Sequence, residues 1–223
     1  MTESLKVNIP LSEGGTVSGL LTSTWRQAKA LYLFAHGAGA GMEHVFMETM
    51  AAKLAEGQVA TLRFQFPYME KGSRRPDHRT KLIATWRDVI AFTQAELGNG
   101  PKIYAGGKSM GGRMCSQAFS DDPPQGVHGL IFLGWPLHPA GKPGTERAEH
   151  LPQVKVPMLF LQGSRDKLAE PDLLEPIVRK LPTATLHFVK GADHGFGVRK
   201  MDGRSPEEIF EELTDNFCEW VFS

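Results

Sequence analysis

The feature that most constrains the fold is the alternation of short apolar runs with longer amphipathic segments along the chain. The runs of strand length are Lys6–Ile9, Val17–Leu21, Ala30–Ala35, Ala60–Gln65, Lys102–Ala105, Leu130–Leu133, Met158–Gln162 and Thr185–Val189. Strands that alternate with helices are typical of an α/β protein with a mostly parallel central sheet and helices on both faces. The first two runs are the weakest, and they predict an antiparallel hairpin at one edge.

The helices are predicted from apolar residues that recur at intervals of three and four. The segments are Glu43–Glu56, Thr80–Leu97, Met110–Phe119, Leu173–Leu181 and a C-terminal helix capped by Ser205. Pro176 predicts a kink or a late start in the fourth segment. In the last one, Glu208 completes a capping box with Ser205, and Pro206 fits the first turn. The 223 residues contain no evident linker or repeat, so we expect a single domain over residues 1–223.

Composition excludes several classes of partner. The 25 Lys and Arg residues balance the 25 Asp and Glu residues, which gives no general attraction to nucleic acid or to an anionic membrane. No apolar stretch is long enough to span a membrane. Two cysteines and a polar N-terminus predict a reducing, cytoplasmic location. The histidines show no metal-ligand spacing, so we expect no metal site. We also expect a small-molecule substrate and no cofactor.

The motif Gly107-Lys108-Ser109-Met110-Gly111 matches G-x-S-x-G, and it lies between a predicted strand and a predicted helix. Such a turn places the serine in a strained backbone conformation, and its flanking positions must lack bulky side chains. A phosphate-binding P-loop is excluded, because that pattern requires glycine where the chain has Lys102. The competing interpretation is a glycine-rich turn with a solvated serine. The context favours Ser109 as a nucleophile.

An acid and a base are expected later in the chain, each after a strand. Asp166 follows the strand Met158–Gln162 and is placed to orient an imidazole. Glu170 and Asp172 are alternatives, although both suit the first turn of the next helix better. His194 follows the last predicted strand and is the candidate base, against the alternative of a surface histidine.

The loop around His194 contains a second acidic residue. Asp193 is adjacent to the candidate base, and adjacent side chains point apart. We therefore expect Asp193 to shape the loop.

The glycine-rich segment His36–Gly41 follows the strand Ala30–Ala35, where main-chain N–H groups would face a developing oxyanion. The predicted donors are the N–H groups of Met110 and Ala38, with Gly37 as the competing choice. His36 is expected to hold the loop through a hydrogen bond. The segment is not a dinucleotide-binding motif, because position 42 is methionine.

The predictions for substrate contacts rest on loop positions. Met42, Phe46 and Trp135 are expected to bound a shallow acyl pocket, with packing of Trp135 under its loop as an equal alternative. Arg74 and Arg75 belong to a basic loop that would bind a carboxylate or phosphate, or would simply be solvated.

Two further predictions concern residues outside the pocket. Cys115 is expected to be a buried helix residue. No large lid is expected, because the gap from Leu133 to Met158 has room only for a Gly- and Pro-rich loop and a short helix around Thr145–Leu151.

These motifs together resemble the small α/β-hydrolase-like family related to dienelactone hydrolases, whose animal relatives include testis-expressed and chromatin-complex hydrolase-like proteins. The matching stretches are His36–Met42, Arg63–Tyr68, Gly106–Arg113, Trp135–Pro139, Gly163–Asp166 and Asp193–His194. The resemblance implies an α/β-hydrolase fold and a triad of Ser109, Asp166 and His194. Dienelactone hydrolases proper have cysteine as nucleophile where this chain has Ser109, so their substrate does not carry over.

The sequence therefore predicts a serine hydrolase that cleaves ester-like bonds, carboxylic esters or thioesters, of small soluble substrates. The alternative from another class is a catalytically silent fold that serves as a protein-interaction module. Transfer of the acyl group to an acceptor other than water is a third possibility.

Overall fold

The strands and helices are described in a computed structural model that covers residues 3–22, 24–97 and 100–223. Residues 1, 2, 23, 98 and 99 of the predicted single domain lie outside the described residues. The strands are β1 (Ser4–Pro10), β2 (Thr16–Thr22), β3 (Ala30–Ala35), β4 (Val59–Phe64), β5 (Lys102–Lys108), β6 (Val127–Leu133), β7 (Met158–Gly163) and β8 (Ala184–Val189). The helices are α1 (Val45–Glu56), α2 (Pro67–Glu70), α3 (Arg79–Leu97), α4 (Met110–Asp121), α5 (Pro171–Val178) and α6 (Pro206–Phe222).

The strands form one sheet in the order β1-β2-β4-β3-β5-β6-β7-β8. All neighbours from β4 to β8 are parallel, and β1 and β2 form the predicted antiparallel hairpin at the edge. Strands β3 and β4 are buried on both faces, as expected for continuous apolar runs between two helical layers. The predicted mostly parallel sheet is confirmed.

Helices cover the sheet on both sides, as predicted. Helices α1 and α6 pack on one face, around Met50, Leu54 and Phe217. Helices α3, α4 and α5 contribute to the core on the other face, with Trp86 and Phe119 fully buried there. The predicted capping box of α6 is present, with Ser205 Oγ accepting a hydrogen bond from Glu208 N.

The helix around Pro176 differs from the prediction. Helix α5 begins at Pro171, so Pro176 lies inside the helix and does not delay its start. Pro171 occupies the first helical position, where a proline costs nothing because its missing N–H would be unpaired anyway. The short helix α2 was not predicted, since its four residues are too few to show a periodicity.

The connection from β6 to β7 contains only two short 3₁₀ turns, Glu146–Ala148 and Leu151–Gln153, where one short helix was expected. Among the described residues no large lid covers the carboxyl ends of the strands, as predicted. None of the helices in these residues is long and apolar enough to cross a membrane. In a parallel sheet the loops at the carboxyl ends of the strands meet at one edge, which here gathers the loops after β3, β5, β7 and β8.

Candidate active site

Ser109 lies on a tight turn between β5 and α4. Its backbone has φ 51° and ψ −117°, a strained conformation for a residue with a side chain. A Cβ built at Gly107 would lie 2.4 Å from Ala35 O, and one at Gly111 would lie 2.7 Å from the same oxygen. Glycine is therefore required on both sides of the serine, as the G-x-S-x-G motif predicts.

The three predicted catalytic side chains meet in one chain of hydrogen bonds. Ser109 Oγ lies 2.8 Å from His194 Nε2, and His194 Nδ1 lies 2.7 Å from Asp166 Oδ2. With Nδ1–H donating to the carboxylate, Nε2 is left as the acceptor for the serine hydroxyl. The arrangement suits the removal of a proton from Ser109.

The carboxylate of Asp166 is 1% exposed and is held by other donors besides the imidazole. Leu168 N donates to its Oδ1 at 2.8 Å, and the Gln162 amide donates to its Oδ2 at 2.5 Å. The amide oxygen of Gln162 in turn accepts from Trp135 N at 2.8 Å. Gln162 was missed from the sequence, because a glutamine at the end of an apolar strand carries no motif.

The alternative acids are placed elsewhere. Glu170 pairs with His138, whose side chain is almost fully buried. Asp172 lies in the first turn of α5, as expected from the helix dipole.

The loop that carries His194 is shaped by its neighbours. Asp193 Oδ1 accepts from Gly195 N at 2.8 Å and from Gly197 N at 2.9 Å, which is the loop-shaping role predicted for it. Lys108 Nζ donates to His194 O and lies 5.6 Å and 5.3 Å from the ring centres of Phe46 and Phe196. Burial lowers the pKa of Lys108 to about 8, although Asp166 and Asp193 oppose the shift.

The glycine-rich loop after β3 approaches the serine closely. A Cβ at Gly37 would lie 3.6 Å from Ser109 Cβ. Within the part of the chain described here, the N–H groups of Gly37, Ala38 and Met110 have no acceptor. Both the predicted Ala38 donor and its competitor Gly37 are therefore free to bind an oxyanion beside Met110 N, which begins α4.

Residues after β4 hold this loop in place. Phe66 N donates to His36 Nε2 at 3.2 Å, so the proton is assigned to His36 Nδ1, 2.7 Å from Gly37 O. Burial lowers the pKa of His36 to about 4, which keeps the imidazole neutral. Gly39 N donates to Tyr68 Oη and Met42 N to Gln65 Oε1. The expected structural role of His36 is present, and Gln65 and Tyr68 are partners that periodicity did not indicate.

The side chains predicted to bound the acyl pocket, Met42, Phe46 and Trp135, are all buried or nearly buried. Met42 and Phe46 are nearly buried, and Phe46 stacks on Phe196 with ring centres 5.6 Å apart. Trp135 is fully buried, and its Nε1 donates to Ser116 Oγ at 3.3 Å. The prediction of Trp135 as a pocket wall is corrected, because the side chain fills the core under its loop.

The predicted anion contacts Arg74 and Arg75 are both exposed. Arg74 lies beside the glycine-rich loop, since a Cβ at Gly39 would be 3.6 Å from Arg74 O. A different cleft, of about 500 Å³, lies against His194. Its lining consists of Arg165, Lys167, Asp193, His194, Gly195 and Arg199.

Other reactive side chains are not part of this arrangement. Cys115 is buried in α4, and burial raises the pKa of its thiol well above the usual value. In residues 3–22, 24–97 and 100–223, no group of three or more His, Cys, Asp and Glu side chains is arranged to hold a metal ion.

A parallel sheet that delivers a serine on a strained strand-to-helix turn, with an aspartate and a histidine arriving from later loops, defines the α/β-hydrolase class. The chain belongs to the family described as the alpha/beta hydrolase domain, whose family model matches residues 28–222. The predicted α/β-hydrolase fold is therefore confirmed.

Solved structures share this fold at low sequence identity. Dienelactone hydrolase from Anabaena variabilis is 19% identical, with 99% of this chain and 97% of that one covered and a TM-score of 0.77. Est1E from Butyrivibrio proteoclasticus, solved with bound ferulic acid, is 17% identical over 97% of this chain and 100% of its own, with a TM-score of 0.78. An α/β serine hydrolase without a lid from Xanthomonas campestris is 18% identical over 99% and 96%, with a TM-score of 0.74.

Proposed function

We propose that this chain is a serine hydrolase that cleaves carboxylic ester or thioester bonds of small soluble substrates through an acyl-enzyme on Ser109. The observation that carries the proposal is the hydrogen-bond chain from Ser109 Oγ through the His194 imidazole to Asp166. Similarity to dienelactone hydrolase and to a lidless serine hydrolase supports the same class of chemistry.

The first half-reaction forms the acyl-enzyme. His194 Nε2 takes the proton of Ser109 Oγ while the oxygen attacks the substrate carbonyl. Met110 N and one of the Ala38 and Gly37 N–H groups stabilise the oxyanion of the tetrahedral intermediate. His194 then gives the proton to the departing alcohol or thiol, and the acyl group stays on Ser109.

The second half-reaction repeats the first with water as the nucleophile. His194 removes a proton from water, the hydroxide adds to the acyl carbonyl, and Ser109 leaves with the proton that His194 returns. Asp166 holds the imidazole through Oδ2, and its carboxylate is fixed in place by the Gln162 amide and Leu168 N. The cycle needs no cofactor.

A fluorophosphonate probe tests the nucleophile. We expect one adduct, located on Ser109 by peptide mass spectrometry, and no labelling of Ser109→Ala. The matched control is Ser120→Ala on the same helix, whose hydroxyl donates to Gln117 O. A folded protein that leaves Ser109 unlabelled and hydrolyses no ester would support the interaction-module alternative.

A panel of ester, thioester and amide substrates tests the reaction. Steady release of acid and alcohol is expected for the esters or thioesters. A single burst of the leaving group, followed by turnover only when an alcohol or amine is added, would show that the chain transfers the acyl group to an acceptor other than water.

A further inference from the structure

Three arginines from separate elements carry charges that act on one another near the start of α4. Arg79 begins α3, Arg113 lies in α4, and Arg147 lies in the 3₁₀ turn Glu146–Ala148. Arg113 N donates to Ser109 O at 3.1 Å, so Arg113 is one helical turn from the nucleophile. We call these three residues the arginine cluster.

The direction of Arg113 follows from its neighbours on α4. Ser116 lies three residues further along, on the same face of the helix. Its Oγ is 2.8 Å from His150 Nε2 and accepts from Trp135 Nε1 at 3.3 Å. Arg113 therefore faces the β6–β7 connection, which carries Arg147.

The charges in the arginine cluster are not compensated by protein groups. Among the residues that the structure describes, none of the three arginine side chains has an ion-pair or hydrogen-bond partner. Burial, followed by the charges of Arg147 and Arg79, lowers the pKa of Arg113 to about 10. Burial and the charge of Arg113 lower the pKa of His150 to about 4, so its imidazole stays neutral and adds no further positive charge beside the cluster.

One buried donor at this place also lacks a partner. Among the described residues, Arg113 Nε is shielded from solvent and has no acceptor. An unsatisfied buried donor costs about 1–3 kcal/mol, and a ligand that supplies an acceptor removes that cost.

We propose that the arginine cluster binds an oxyanion, a carboxylate or a phosphate, carried by the substrate whose ester bond Ser109 attacks. Guanidinium groups bind planar and tetrahedral oxyanions through paired N–H donors, and two or three of them converge where such a group must be oriented. The proposal rests on the proposed function and names its substrate class. The ligand site is Arg113 and Arg147, with Arg79 at its outer edge.

Binding is measured first without turnover. Isothermal titration with inorganic phosphate and with glutarate is carried out on the wild type and on Arg113→Gln, Arg147→Gln and the control Arg179→Gln. Arg179 is an exposed arginine directly after α5, and it pairs with Glu175. We expect saturable binding to the wild type and to the control, and at least about tenfold weaker binding to Arg147→Gln.

Turnover is measured on two matched substrates, the 4-nitrophenyl ester of monomethyl glutarate and that of free glutaric acid. The wild type is expected to show a kcat/KM at least about tenfold higher for the free acid. Arg147→Gln should lose this preference, and the control Arg179→Gln should keep it. Since Arg147 lies on a 3₁₀ turn and is partly exposed, this variant keeps the test valid if Arg113→Gln does not fold.

Several results would overturn the proposal. Equal rates for the two esters combined with phosphate binding would show a site for a free anion and not for the substrate. Loss of the preference in Arg74→Gln/Arg75→Gln, but not in Arg147→Gln, would place the site in the basic loop. Binding unchanged by either arginine variant would show that water alone fills the cluster. If no ester is hydrolysed but Arg147→Gln loses glutarate binding, the proposed function fails and the anion site remains.

Discussion

The ammonium of Lys108 donates a hydrogen bond to the carbonyl oxygen of His194, which ties the residue before the serine to the residue that carries the imidazole. Gly134 packs closely against both residues, because a Cβ built there would lie 2.9 Å from Lys108 Nζ and 3.6 Å from His194 Nδ1. Lys108 therefore fixes the two loops that must present Ser109 and His194 to each other. We regard it as a positioning residue.

Removing this contact is expected to lower kcat. Lys108→Met should reduce kcat about tenfold with little change in KM, since the binding surface stays while the base is held less firmly. The control is Lys29→Met, which removes a lysine over the Phe222 ring, away from the site. Equal kcat values for wild type and Lys108→Met would contradict the positioning role.

The same lysine gives a pH dependence with opposite signs for activity and stability. Its pKa is lowered from 10.5 to about 8, so the wild type should lose kcat above about pH 8 as the charge is lost, and Lys108→Met should not. Between these two values the unfolded state binds the additional proton, so the contribution of Lys108 to the free energy of unfolding rises with pH. Rate profiles and urea titrations from pH 7 to 10 measure both.

Gln162 provides a second test of how the site is held. Gln162→Leu should lower kcat about tenfold because Asp166 loses a donor, and should lower the free energy of unfolding by about 1–3 kcal/mol because Trp135 N loses its acceptor. Gln162→Glu should be slower still, since a second carboxylate would face Asp166. Gln94→Leu on the exposed side of α3 is the control. A Gln162→Glu variant as fast as the wild type would show that the acid needs no such partner.

Much of this arrangement was predictable from the sequence because it depends on local patterns. The apolar runs predicted all eight strands to within three residues at each end, since the central runs are buried between helices and the edge runs still alternate with turn residues. Triad order and glycine positions predicted the meeting of Ser109, Asp166 and His194, because the carboxyl ends of parallel strands share one edge of the sheet.

The rest depends on contacts between distant loops, which no local pattern encodes. In the sequence, Gln162 is one more residue of an apolar strand. Only the structure shows that its side chain bonds both Trp135 N and the Asp166 carboxylate. Trp135 was expected with equal weight in a pocket or in the core, and only the position of Ser116 decides between them. The arginine cluster joins residues 79, 113 and 147, which belong to separate segments of the chain.

Acidification is expected to destabilise the fold through buried neutral imidazoles. The pKa of His36 is lowered from 6.5 to about 4, so between these values the unfolded state binds the proton first and the free energy of unfolding falls as the pH falls. At pH 5 this loss amounts to about 2 kcal/mol for His36. His150 has the same shift and contributes in the same direction.

Urea unfolding at pH 7 and pH 5 measures this loss. His36→Asn, whose side chain can still accept a hydrogen bond from Phe66 N, should be less stable at pH 7 but should lose about 2 kcal/mol less between the two pH values. His128→Gln, at an exposed position, should follow the wild type. If the wild type and His36→Asn lose the same amount, His36 is not the group that titrates.

The last prediction concerns the length of the acyl chain. Phe46 is packed against Phe196, Trp135 is enclosed in the core, and the β6–β7 connection holds only short 3₁₀ turns. The cleft against His194 is lined mostly by charged side chains. A long alkyl chain would therefore stay in water and gain little of the roughly 0.8 kcal/mol that each buried CH₂ contributes.

We expect 4-nitrophenyl acetate and butyrate to be hydrolysed at least about tenfold faster than the palmitate, with no increase in rate when the substrate forms micelles. Phe46→Leu should improve the relative rate for hexanoate by opening space beside Lys108, the residue before the serine, while Phe222→Leu at the half-exposed C-terminus should not. A preference for palmitate, or a jump in rate at the critical micelle concentration, would require a deep or covered pocket that opens when substrate binds.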